Sequence, residues 1–277
     1  MKGKLFRKLA LVSITALALS GCTQTHQEAP GNSHSHPKVM RIIRRAKKQA
    51  ENNPKLYQNA PDKKVKLTAK QEKFAKPWAY IPQKEFRMLT LDWRQRALGS
   101  HIQVKRSQLP QYKRDPRIAV NPSGWHNYKF TTQKNGKPYV TWLFNRGHLV
   151  GFQFCGVNDE PRNLVTETAY LNQGGLTGMD DRNPKAMLFY ENNLRQWVNT
   201  HPQDKLDYAV IPLYHGLELV PRQIRLTFVG IKPSDKQVKI KMPGIKLKTH
   251  GKVSEVILNN SSPRAKINYL TGRATIN

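Results

Sequence analysis

Six polar residues with chemistry to offer, Arg146, His148, Asn163, Asn172, Glu191 and Arg195, fall within fifty positions of one another. His148 sits in "WLFNRGHLVGFQF", where its neighbours read as a buried strand. Asn163 and Asn172 follow in "PRNLVTETAYLNQGG", and Glu191 and Arg195 are four apart in "FYENNLRQW", which puts them on one face of a helix. A neutral imidazole, with an ordinary pKa of about 6.5, can take a proton from water near neutral pH. An asparagine oxygen completed by waters suits a hard octahedral cation such as Mg²⁺ or Mn²⁺. That cation stabilises charge as a phosphodiester breaks. Arg146 or Arg195 can neutralise the phosphorane. Each residue alone also has a plainer reading: a core histidine, a surface helix pair, an Asn-Gly turn. Other chemistries lack their marks, for there is no Cys-x-x-Cys pair, no Gly-x-x-x-x-Gly-Lys loop and no Gly-x-Ser-x-Gly elbow.

The elements that would carry these residues can be outlined. "FRMLTLDWRQRALGSHIQV" predicts a strand or turn followed by a helix, and "NPSGWHNYKF" a turn before an aromatic strand. Asn135-Gly136 in "KNGKP" predicts a tight hairpin that leads into the strand bearing His148. "PKAMLFYENNLRQWVN" reads as a helix, and "YAVIPLYHGL" and "QIRLTFVGIK" as strands.

In order and spacing these blocks resemble the DNA/RNA non-specific endonucleases, a ββα-metal (His-Me finger) family, and look most like its bacterial DNA-uptake branch. The likeness spans roughly residues 85 to 275 and extends weakly to "KINYLTG". It implies that His148 is the general base, Asn172 the metal ligand, and Glu191 and Arg195 the pair supporting the hydrated metal and the phosphate. Arg146 belongs to the histidine motif, and Asn163 matches a residue shaping the site beside it. Products carrying a 5′-phosphate are also implied. One departure stands out: Asn145 occupies the position where the family motif has Asp.

The remaining features concern location and substrate. Forty-seven Lys and Arg against eighteen Asp and Glu give a formal charge of +29, which calls for a polyanionic partner. "MKGKLFRKLALVSITALALSGC" has a basic start, an apolar run too short for a bilayer, and a cysteine after small residues, as in a bacterial lipoprotein signal with Cys22 as the lipidated residue. Cys155, the second of two cysteines, is expected to be inert. "VMRIIRRAKKQA" is a short basic helix candidate, and residues 51 to 78 read as lysine-rich linker. In "QVKIKMPGIKLKTHGK", alternation around a Pro-Gly turn puts Lys239, Lys241, Lys246 and Lys248 on one hairpin face, either solvated or tracking phosphates.

The sequence therefore predicts an α+β protein, a ββα-metal finger on a mixed, mainly antiparallel sheet. Residues 1–21 form the signal, 22–78 a lipid-anchored tether, and 79–277 the nuclease domain. The expected activity is Mg²⁺-dependent cleavage of DNA and RNA without sequence preference, on the extracytoplasmic face of a bacterial envelope. Two rivals share the charge: a lipoprotein that captures DNA without cutting it, and a basic envelope protein bound to acidic polymers or lipid.

Overall fold

The computed structural model describes residues 65–277 together with Arg41. The predicted signal, Cys22, most of the tether and the basic helix candidate lie outside the described residues, Arg41 excepted.

A seven-stranded sheet forms the scaffold, in the order β1-β2-β7-β8-β11-β10, with β9 also pairing β8. These strands are β1 (Glu85–Met88), β2 (Ser100–Val104), β7 (Lys205–Leu213), β8 (Gln223–Ile231), β9 (Gln237–Val238), β10 (Lys248–His250) and β11 (Val253–Asn259), and every pairing is antiparallel. The continuous apolar run of β7 follows from burial on both faces. Leu206, Tyr208 and Val210 face a core shared with Leu194 and Val198 of the helix α4 (Met187–Thr200). Ala209, Ile211 and Leu213 face the other side, against Phe74 and Ala75. Each such aliphatic side chain contributes about 1.5–3 kcal/mol on burial.

Phe74 ends a short helix, α1 (Ala69–Phe74), started by a capping box in which Thr68 and Gln71 satisfy each other's backbone N–H groups. Packing thus begins before the boundary read near Ala79, and residues 66–78 are not free linker. The reason is polar as well as apolar: Trp78 stacks on buried His101 with ring centroids 3.7 Å apart, and its N–H donates to Asp207. His101 lies between the Phe74 carbonyl and the Asp207 carboxylate, at 2.8 and 2.7 Å.

Three small antiparallel pairs and a short helix, α2 (Phe152–Cys155), complete the fold: β3 (Lys129–Lys134) pairs with β4 (Lys137–Trp142), β5 (Phe144–His148) with β6 (Leu164–Thr168), and β12 (Ala265–Ile267) with β13 (Ala274–Ile276). Asn135 and Gly136 both take positive φ, 52° and 74°, as the hairpin signal requires. Two expectations are corrected. Residues 89–99 form a turn-containing loop, not a helix, because Asp92 caps the N–H groups of Arg94 and Arg96 and the chain turns at residues 93–94 before returning to β2. The lysine segment is no hairpin: β9 pairs with β8, β10 with β11, and residues 239–247 form no strand. Its alternation reflects Ile240 and Met242 dipping into the main core while Lys239, Lys241, Lys246 and Lys248 stay exposed.

Candidate active site

Strand β5 delivers Arg146 and His148, β6 runs back antiparallel, and Thr168 caps the helix α3 (Ala169–Gln173) by accepting from the Leu171 N–H. This β5–β6–α3 unit is the ββα finger. Buried Asn260 ties it to the main sheet, accepting from the Thr168 N–H and donating to the carbonyls of Thr166 and Pro221. A cleft of about 670 Å³ opens beside the finger. Arg146, His148, Asn172 and Glu191 all line it, as do Asn145 and Arg114.

His148 is held by a bond from Nε2 to the Asn158 carbonyl, 2.9 Å. A carbonyl can only accept, so Nε2 carries the proton and Nδ1 the lone pair. Burial, then the nearby Arg114 guanidinium, pushes its pKa down to about 4, which keeps the ring neutral and able to act as a base. Arg114 itself donates to the Asn158 side chain at 3.0 Å, so one asparagine bridges the arginine and the histidine. Sequence reasoning missed Arg114, which belongs to no motif and reaches the cleft from an irregular segment.

Asn172 lies in the last turn of α3, and its side-chain amide has no hydrogen-bond partner among the described residues. Across the cleft, Glu191 accepts from the Gly151 N–H at 2.9 Å. Burial raises its pKa to about 7 despite hydrogen bonds from Gly151 and Gln153. An unpaired amide oxygen and a carboxyl lining one cleft are oxygen donors of the kind that fit a hard divalent cation.

The other predicted residues sit behind the cleft. Asn163 is fully buried: Oδ1 accepts from the Val150 N–H at 3.0 Å and Nδ2 donates to the Val150 carbonyl at 2.9 Å, clamping the chain two residues after His148. Arg195 donates to the Gln153 carbonyl and does not line the cleft. None of Lys239, Lys241, Lys246 and Lys248 lines it either, and Lys248 pairs with Glu255 at 2.8 Å. Arg146 lines the cleft together with Arg114, hydrogen-bonded to Asn121 and lying 4.4 Å over the Trp125 ring. Cys155 is buried, its thiol pushed up to about 11, too high for reactivity near neutral pH.

Beneath the motif lies a group that sequence reading passed over. Glu167 is the cross-strand partner of Asn145, is 0% exposed, and has both carboxyl oxygens without a hydrogen-bond partner among the described residues. Burial and the neighbouring Glu191 push its pKa well above the carboxylate range. A Cβ at Gly147 would come within 2.2 Å of its Oε2, so Glu167 explains the motif's glycine here.

Residues 108–229 match the model of the DNA/RNA non-specific endonuclease family. A solved "extracellular nuclease" is 39% identical, the match covering 73% of this chain and 98% of that one, with a TM-score of 0.58. The chain belongs to the DNA/RNA non-specific endonuclease family. An "extracellular endonuclease" is 38% identical over 77% of this chain and 98% of its own, with a TM-score of 0.60. The fold is shared further afield with NucA from Streptococcus agalactiae with magnesium bound, at 21% identity over 72% of this chain and 80% of that one, TM-score 0.52. Membership in this non-specific endonuclease family makes the protein a nuclease with nucleic acid as its substrate.

Proposed function

We propose that the protein is a metal-dependent endonuclease that hydrolyses DNA and RNA phosphodiester bonds with His148 as general base. The observation that carries this reading is the tautomer of His148. With Nε2–H committed to the Asn158 carbonyl, Nδ1 has a lone pair available for a proton from an attacking water. The depressed pKa keeps that lone pair free throughout the neutral range. Asn172 would hold a divalent cation, Mg²⁺ or Mn²⁺, through its amide oxygen, with Glu191 supporting its hydration. When bound, the cation supplies positive charge to the scissile phosphate.

Arg146 binds and neutralises the phosphate from the cleft wall. Asn163 and Arg195 are positioning residues: one fixes Val150 behind the histidine, the other fixes the Gln153 backbone, whose side chain bonds Glu191. Asn145 leaves the histidine's orientation to Asn158, and the carboxyl missing at 145 is present across the strand pair at Glu167. Contacts to phosphates rather than base edges make cleavage indifferent to sequence. The signal-like start and Cys22 support a lipid-anchored protein on the extracytoplasmic face of a bacterial envelope. The four exposed lysines from Lys239 to Lys248 would add affinity for nucleic acid at a distance from the cleft.

Incubating the protein with plasmid in Mg²⁺ or EDTA tests the activity, and His148→Ala tests the base. Cleavage should need metal and vanish in the variant while DNA binding and the melting temperature persist. An active His148→Ala protein overturns the general-base assignment. Metal-independent binding without cleavage would favour the DNA-capturing lipoprotein.

A further inference from the structure

The β3–β4 hairpin has one face with nothing on it. Its register pairs Lys129 with Trp142, Thr131 with Val140 and Gln133 with Pro138, and all six residues are exposed. The opposite face is anchored, with Phe130 in a core shared with Leu143, Phe144 and Val220. Val140 is 59% exposed and Trp142 39%, and Met179, across the cleft mouth, is 80% exposed. Large apolar side chains left open together mark a binding surface. This one is continuous with the cleft, since Trp142, Met179 and Trp125 line it together with His148.

Charge says what kind of molecule fits. Residues 129–146 contain Lys129, Lys134, Lys137 and Arg146 and no acidic residue. Lys129 lies over Trp142 at 4.5 Å on the exposed face and Arg146 over Trp125 at 4.4 Å in the cleft, whereas Lys134 and Tyr139 pair on the anchored face. Aromatic faces interleaved with cations suit a strand whose phosphates are neutralised while its bases stack. In a duplex each base hides both faces in the stack, so only an unpaired base can lie on Trp142.

Resting on the nuclease reading of the cleft, we propose that the exposed face of the β3–β4 hairpin is a stacking wall for single-stranded nucleic acid, with Trp142 receiving an unpaired base next to the scissile phosphate. The enzyme therefore prefers single-stranded or locally melted substrate over intact duplex.

The test measures binding in EDTA, which prevents cleavage. A short fluorescein-labelled oligothymidine and a hairpin duplex of equal phosphate count serve as probes. Trp142→Ala should weaken oligothymidine binding about tenfold, the order of one lost base stack, and duplex binding by less than about twofold; Trp142→Phe should hold the single strand within about threefold. In addition, oligothymidine should quench the native tryptophan fluorescence, and Trp142→Phe should remove part of that quench. This second readout decides the matter if Trp142→Ala does not fold. Equal loss on both probes, no loss on the single strand, or a quench unchanged in Trp142→Phe overturns the proposal. Adding Mg²⁺ to the same samples separates it from the catalytic reading. Trp142-dependent binding without cleavage leaves the wall and removes the enzyme; cleavage indifferent to Trp142 does the reverse.

Discussion

Asn163 offers the sharpest separation between a residue that reacts and one that positions. Its side chain satisfies both the N–H and the carbonyl of Val150, itself fully buried, so neither group can turn to water instead. Asn163→Ala strips the buried Val150 N–H of its partner at about 1–3 kcal/mol and leaves the carbonyl only the weak Cys155 thiol, a further loss of about 0.5–1.5 kcal/mol, so roughly 2–5 kcal/mol together. The Leu149 N–H bond to the Asn163 backbone carbonyl survives the change. Against a typical stability of about 5–15 kcal/mol this is a large loss. At about 2–4 °C per kcal/mol for a domain of this size, the melting temperature should fall on the order of 5–20 °C. Cleavage assayed well below the new midpoint should drop by roughly a hundredfold, as a small displacement of His148 would cause. Thermal melts by circular dichroism and plasmid cleavage on the same samples provide the check. An unchanged melting temperature with lost cleavage would refute the positioning role and put Asn163 in the reaction itself.

Other expectations follow from the buried charges. Glu167 has a raised folded pKa, so between its unfolded value of about 4.3 and that raised value the native state holds a proton the unfolded chain has released. Its stability contribution therefore falls as pH rises, and Glu167→Gln should raise the melting temperature at pH ~8 with a gain that shrinks toward pH ~4; a pH-independent effect would contradict this. Gly147→Ala should be destabilising, and Glu167→Ala should rescue it by removing the carboxyl that a Cβ would strike; additive losses in the double variant would sink that explanation. Because Glu191 must lose a proton near pH 7 before it can meet a cation, the metal affinity of the free enzyme should rise as pH increases through about 7, and calorimetry on Glu191→Gln should show that dependence flattened. Removing Arg114 should raise the His148 pKa above about 4, visible in an NMR titration of the imidazole.

Much of the site was legible because the residues touching the cleft recur at spacings that local structure enforces. His148 ends a strand, Asn172 ends the helix that the return strand feeds, and Glu191 faces them from a long amphipathic helix. The Asn135-Gly136 turn was readable because its backbone admits few residue types. What escaped reading depends on contacts between distant segments. Arg114 acts through Asn158, forty-four positions away, and Trp78 reaches Asp207 across 129. Lys239 to Lys248 were misassigned for a similar reason: an alternating burial pattern specifies which side chains point inward, but not which strand lies alongside. Glu167 belongs to no motif, and only the strand pairing sets it against Asn145 and under Gly147.

The attachment of the first described residues has a mechanical consequence. Trp78, Tyr80 and Ile81 donate their N–H groups to Asp207, Asp235 and Gln103, and the buried ammonium of Lys205 grips the carbonyls of Pro82 and Gln83. A pull on the chain from its N-terminal side would load β2, β7 and the turn after β8 through several bonds in parallel. The finger holding His148 and Asn172 takes part in none of these bonds, so tension entering the chain ahead of Trp78 is carried by the sheet and spares the candidate site.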